Sequence, residues 1–438
     1  MTGSGLSPLE RRVCEHLAER EDELVQLLST LIGFNTVTHT PDADPRQEAV
    51  LQGFLAERLA AHGAEVAVDE PEPALVAGHR IVPDGFSFAG RPQLVARFPG
   101  AADGPTLLLN GHVDVVDAEP LDTWSTDPFA AVLRDGAVWG RGACDMKGGV
   151  ACMVAAAEAL AQLGVPLAGE LVVNTTTDEE SSGAGGLASA RTLHADAAIV
   201  PEPSNLEVLV ACRGSLLATL TVDGRAGHAG IPPRHPDDGG AVNAIEKAVY
   251  LLEAVRRLRE DWALRSPHPH LSPAECVPTM ISGGEWVVSY PARCRLDCHI
   301  EYLPSQADEQ GWGSLVEREF EECIASAAAA DPWLRRHPPR VDWLVGGVPP
   351  AEVSPEEPVV QALLGAERDL GRVERVGGMD NWHDGAMLIV EAGIPSVCYG
   401  PGDVHVAHGA QEHVPVTDLV ACTQGIAVAA MRFLGAAA

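Results

Sequence analysis

Leu107-Leu108-Leu109-Asn110-Gly111-His112-Val113-Asp114 sets three leucines ahead of an imidazole and a carboxylate, and that order decides the fold class. A short apolar run reads as a buried strand, and this one delivers metal-ligating groups at its carboxyl end. The same order recurs. Leu171 to Thr177 delivers Asp178-Glu179-Glu180, and Ala197-Ala198-Ile199-Val200 ends at Pro201-Glu202-Pro203. In open α/β sheets, ligands bind beyond the carboxyl ends of the strands. Divalent-metal catalysis needs nitrogen and oxygen donors gathered in one place. His112, Asp145, Glu180, Glu202 and His408 are therefore the candidate ligands, accompanied by Asp114 and Glu179.

Any one of these carboxylates taken alone would be a solvated loop charge. The set differs, because no packing requirement puts all of them at strand ends. His235, His268, His270, His383, His405 and His413 read as loop or surface histidines, with His383 and His405 nearest the ligand stretches. Asp380 and Glu412 read as groups that support ligands from behind.

A chain of 438 residues exceeds one ordinary core and predicts two domains, with three as the alternative. Its 62 acidic residues against 30 basic ones give a net charge of -32. Such a surface repels nucleic acid and anionic membrane and favours solubility. Met1 to Ser7 is small and polar and leads into an amphipathic stretch, unlike a secretory leader. No run approaches the ~18 apolar residues of a membrane span. Ten cysteines lack CxxC pairs, and Cys294 and Cys298 have no matching second pair. Reduced thiols in a cytoplasm are expected.

Residues 9–32 read as one helix and 46–62 as another, with Gln47, Val50, Leu51, Phe54, Leu55 and Leu59 at helical spacing. Strand and helix alternate through Glu202, which predicts a mixed or parallel central sheet covered by helices. From about Ser215 the texture changes. Strands over 216–222, 280–286 and 294–302 and helices over 241–262 and 307–327 predict an inserted α+β domain with a four-stranded sheet and two helices. The expected organisation is thus a discontinuous α/β catalytic domain, 1–214 and 344–438, interrupted by an insert at 215–343.

Asn110 to Val116, Trp139-Gly140-Arg141-Gly142-Ala143-Cys144-Asp145-Met146-Lys147-Gly148-Gly149, Thr177 to Gly183, Pro201-Glu202-Pro203-Ser204, Gly400-Pro401-Gly402 and Ala407 to Glu412 occur in this order. Together they resemble the co-catalytic metallopeptidase family that contains acetylornithine deacetylase, succinyl-diaminopimelate desuccinylase, aminoacylases and glutamate carboxypeptidase. The resemblance runs from about residue 10 to the end of the chain and implies the part of lid and dimerisation domain for the insert at 215–343. It implies two divalent ions, zinc first and cobalt or manganese as alternatives, bridged by Asp145 at the ~3.5–4 Å of such sites. His112 and Glu202 would complete one ion, and Glu180 and His408 the other. Asp114 would accept the second ring N–H of His112. Glu179 would be the general base and acid, facing away from Glu180 as neighbours on a strand do. His228, in the loop Gly224-Arg225-Ala226-Gly227-His228, would reach from the insert of a partner subunit to the scissile carbonyl, and Asn243 would contact substrate.

The chain departs from the family at two places. Where relatives carry an arginine that holds a substrate carboxylate, His299-Ile300-Glu301-Tyr302-Leu303-Pro304 presents Glu301, with Arg293 and Arg295 close by. Gly378-Met379-Asp380-Asn381 replaces a Thr-Asp-Ala or Thr-Asp-Gly stretch. Both changes bear on which substrate is accepted, with Glu301 as a substrate-binding candidate. The implied reaction is removal of an acyl group from an N-acyl amino acid or related amine. A dipeptidase or carboxypeptidase is the alternative within the family, and a non-catalytic binding protein the alternative outside it.

Overall fold

The structure, a computed structural model, describes residues 5–38, 46–101, 103–232, 234–265, 267–345 and 347–436; residues 1–4 of the polar start lie outside it. The chain divides into two compact units: Met1–Ala211 with Glu352–Met379 and His383–Ala438, and Cys212–Ala351 with Asp380–Trp382.

In the first unit a mixed sheet runs in the order Glu65–Asp69, Gln93–Phe98, Glu170–Thr176, Thr106–His112, Ala197–Val200, Ser396–Cys398, Val208–Cys212, Ala351–Glu352, with Val376–Met379 paired beside Val208–Cys212. The four strands from Glu170–Thr176 to Ser396–Cys398 are mutually parallel, so their carboxyl ends open on one side. His112 and Thr176 pair at that end. Leu107, Leu108, Leu109, Ile199 and Val200 are almost wholly buried, as strands of a sheet covered by helices require.

The helix Lys147–Gln162 packs on Thr106–His112 and against the helices Pro8–Ala18, Glu21–Ile32 and Val416–Phe433. Its alanines and glycines permit that closeness. A Cβ on Gly149 would lie 1.9 Å from the carbonyl oxygen of Pro201, the residue before Glu202. The single helix expected over 9–32 is instead two, parted at Glu19-Arg20, and each lays its own face on Lys147–Gln162. The second helix, Glu48–Ala61, also differs from expectation. Gln47 and Val50 are exposed, and the buried face carries Glu48, Leu51, Gln52, Leu55 and Leu59.

Val416–Phe433 is the helix that bears on the expectation about apolar runs. Among the described residues it is one helix long and apolar enough to cross a membrane, with a mean hydropathy of 1.2 over 18 residues. It contains Asp418 and Arg432 and packs against Lys147–Gln162 and Pro358–Asp369, which marks it as a core helix.

The second unit is an antiparallel sheet in the order Glu275–Gly283, Arg293–Tyr302, Gly214–Asp223, Arg340–Trp343, with helices Ala244–Arg265 and Ser314–Ala330. The edge strand begins earlier than the sequence suggests because Pro278 is tolerated there, beside a register shift before Met280. None of the ten cysteines is joined in a disulfide.

Candidate metal centre

The parallel strands bring the donors together. Asp145 Oδ1 lies 3.1 Å from His112 Nε2, and its Oδ2 lies 3.3 Å from His408 Nε2. Glu202 Oε1 is 3.5 Å from His112 Nε2, and Glu180 Oε2 is 3.1 Å from His408 Nε2. Two donor groups result, His112–Asp145–Glu202 and Asp145–Glu180–His408, with Asp145 in both. Glu179 Oε2 is 3.9 Å from His112 Nε2. His112 closes its strand, whereas His408 follows a short 3-10 turn, is exposed and holds a left-handed φ of 60°.

These donors fit divalent cations. Asp114, Asp145, Glu179, Glu180 and Glu202 place five carboxylates around two imidazoles, and two dications would bring four positive charges to them. Oε1 of Glu202 is buried and has no hydrogen-bond partner, an acceptor waiting for a cation. The imidazoles act as substitutes for that charge. Hydrogen bonds to Asp145 and Glu180 push His408 up to about 10. Burial alone would lower His112, but Glu202, Asp145, Glu179 and Asp114 hold it well above its usual value. Burial raises the Glu202 carboxyl. It raises Glu179 as well, reinforced by the charges of Glu202, Asp384 and Glu180 and opposed by His112.

The structure corrects the expected role of Asp114. The second ring nitrogen of His112 meets the main-chain carbonyl of Asp114 at 2.9 Å, while the carboxylate is 3.8 Å away. That carboxylate instead accepts the main-chain N–H groups of Glu179 and Glu180, each at 3.2 Å. Glu179 and Glu180 also stand in a turn beyond the strand, where Asp178 takes a φ of 69°. Their separate directions therefore come from a turn and not from strand alternation.

Glu412 supports the site from behind. It pairs with Arg141 at 2.5 Å and accepts the N–H groups of Cys144 (3.0 Å) and Asp145 (3.1 Å). Asp380 does not do so. It belongs to the second unit, where it accepts the N–H of Ser272 at 2.8 Å and its hydroxyl at 2.5 Å. Burial lowers His383 to about 4, and its Nδ1 accepts the N–H of Gly385. His405 is exposed beside Asp403, and His413 stacks on Trp139.

Asp384 belongs to none of the motifs read from the sequence. It is buried, accepts the Thr176 hydroxyl at 2.8 Å and is raised by burial to about 6. A Cβ on Gly186 would lie 2.0 Å from its Oδ1, so the glycine in the facing helix admits it.

In the second unit His228 is exposed on the short strand Gly227–His228, and its Nδ1 accepts the N–H of Gly230 at 3.0 Å. That bond leaves the ring proton of the neutral form on Nε2, the donor an oxyanion needs. Asn243 is a helix cap, its oxygen accepting the N–H of Ile245 at 3.0 Å. Glu301 is half-buried, 3.1 Å from His299 and 3.9 Å from Arg213, with its Oε2 lacking a hydrogen bond. Arg293 and Arg295 pair with Asp223 and Asp297.

A sheet that gathers two donor groups around one shared aspartate defines a hydrolase built to hold metal. Residues 108–432 match the profile of peptidase family M20/M25/M40, and the chain belongs to that family, whose members are metal-dependent hydrolases of amide bonds. It is 29% identical over 436 residues to N-formyl-4-amino-5-aminomethyl-2-methylpyrimidine deformylase of Bacillus subtilis (strain 168), covering 95% of each chain. It is 34% identical over 351 residues to acetylornithine deacetylase of Myxococcus xanthus, covering 78% of this chain and 84% of that one. Human carnosine dipeptidase 1 has the same fold, with a TM-score of 0.72 at 17% identity over 98% of this chain and 99% of that one.

Proposed function

We propose that the protein removes a small acyl group, formyl foremost, from the nitrogen of an amine or amino acid. It does so with two zinc ions, or cobalt or manganese in their place, held by His112, Asp145 and Glu202 and by Asp145, Glu180 and His408. The observation that carries this reading is Asp145 shared between two donor groups, with Glu179 beside them. Bound there, the ions would polarise the acyl oxygen and make water a better acid. Glu179 takes one proton from the attacking water as the water oxygen bonds to the acyl carbon. It then hands that proton to the nitrogen as the C–N bond breaks. His228 of a partner subunit donates its ring N–H to the tetrahedral oxyanion.

Formyl is preferred because the deformylase relatives match this chain over 95% and 93% of its length. Glu301 supports an amine product without a carboxylate, since a carboxylate recognises an amino or cationic group. N-acyl amino acids are the second substrate class, in line with the deacetylase relative. The dimer reading is supported by exposed apolar side chains in the second unit: Met280 and Ile281 on the edge strand and Val249 and Tyr250 on its helix. Ten cysteines without a disulfide suit a cytoplasm.

The test is a panel on metal-loaded protein, comparing the N-formyl aminomethylpyrimidine, N-formyl and N-acetyl amino acids, and dipeptides. Formate or acetate release is expected from the first two groups. Cleavage of dipeptides alone would replace this proposal with a peptidase, and no cleavage at all would favour a binding protein.

A further inference from the structure

The first turn of the helix Glu48–Ala61 directs two polar side chains inward. Glu48 and Gln52, four residues apart and so on one face, are fully buried, and both grip the end of the strand Glu170–Thr176. Gln52 accepts the Thr175 hydroxyl and donates to the Thr175 carbonyl at 3.2 Å. Glu48 accepts the Thr177 hydroxyl at 2.5 Å and a fork from Arg91, Nε at 2.9 Å and Nη2 at 3.1 Å. Arg91 Nη1 donates to Asp178 Oδ1 at 2.5 Å. The Ser182 hydroxyl covers the other oxygen, and the Asp178 carbonyl accepts the N–H groups of Ser182 (3.2 Å) and Gly183 (2.8 Å).

Every polar group of Asp178 in this count is thus engaged, at a residue with a φ of 69°. That conformation is disfavoured for residues other than glycine, asparagine and aspartate, and it persists where the surroundings over-determine it. The next two residues are Glu179 and Glu180, whose N–H groups the Asp114 carboxylate fixes from the opposite direction. Buried charges need partners, and here the guanidinium between Glu48 and Asp178 is the single cation of the triplet. Glu48 and Arg91 both precede residue 108, where the match to the family profile begins.

We propose that Arg91, backed by Glu48, is a positioning residue. By clamping Asp178 in its left-handed conformation it aims Glu180 at the Asp145–His408 donors and Glu179 at the reacting water. The part concerning Glu179 rests on the hydrolase reading above. The part concerning Glu180 can be tested by metal binding alone.

Three variants test it. Arg91→Lys keeps a cation but cannot fork onto Glu48 while reaching Asp178. Asp178→Gly keeps the φ and removes the anchor. Asp178→Asn keeps both the acceptor and tolerance of positive φ. Stepwise Co²⁺ titration of metal-free protein, followed by absorbance, should show two binding steps in the native chain. In Arg91→Lys and Asp178→Gly one step should weaken by about 10–100-fold while the other is unchanged. Melting should stay within about 5 °C, and kcat should fall with KM within about threefold. Asp178→Asn should behave as the native chain. Native metal affinities in both Arg91→Lys and Asp178→Gly would overturn the proposal. So would equal weakening of both steps along with a fall in melting temperature, the mark of a purely structural role. A native chain that binds two metals and cleaves no amide would sink the hydrolase reading, and the metal titration would still decide this one.

Discussion

Asp145 Oδ2 stands 3.3 Å from Nε2 of His408, a residue that approaches from an exposed turn far along the chain, while Oδ1 of the same carboxylate faces His112 at 3.1 Å. Each oxygen serves one donor group. Asp145→Asn should therefore reduce bound metal from two ions to one or none, and His408→Ala should remove one and leave the other. Metal analysis after dialysis checks this. Two ions retained in Asp145→Asn would show that the aspartate bridges nothing.

Glu179 Oε2 lies 3.9 Å from Nε2 of His112 and is not itself one of the grouped donors. Glu179→Gln preserves its shape and removes its proton transfer. Turnover should drop by about 10²–10⁴-fold with both metals bound. Steady-state rates beside metal analysis make the comparison, and a loss under tenfold would assign the proton transfer elsewhere.

Glu301 predicts a pH dependence of stability. Burial, with the charges of Asp380 and Glu275 and against Arg213, raises its carboxyl to about 7, above the ~4.3 of an unfolded chain. Between those values the folded protein holds a proton that the unfolded one releases. The favourable contribution is complete below about pH 4 and lost as pH rises through 7. The melting temperature of Glu301→Gln minus that of the native chain should therefore grow from pH 5 to pH 8.5. A constant difference would mean the carboxyl does not titrate there.

His228 tests the partner subunit. In the proposed role, where its ring N–H donates to the oxyanion, His228→Ala should depress turnover strongly and leave metal binding intact. Mixing His228→Ala with Glu179→Ala under subunit exchange should restore activity in mixed dimers. Demonstrated exchange without recovery, or a monomer by sedimentation, would remove the trans assignment.

The sequence by itself determined the sheet and the candidate ligands. Three leucines before His112 and an apolar run before Asp178 can only be strands buried on both faces, and parallel strands put their carboxyl ends on one side. Hence His112, Glu180 and Glu202 were readable at strand ends, and with Asp145 and His408 they were readable as a set of candidate ligands, none of them decisive alone. What holds them was not. Asp114 supports Glu179 and Glu180 with its carboxylate and His112 with its backbone, a division that sequence spacing cannot express. Glu48 and Gln52 occupy the inward face of a helix where periodicity looks only for apolar groups, and Arg91 and Asp384 lie outside any motif. A buried charge is stable only where its partner arrives from a distant part of the chain. Arg91 reaches Asp178 across 87 residues and Thr176 reaches Asp384 across 208, so folding alone brings those partners together.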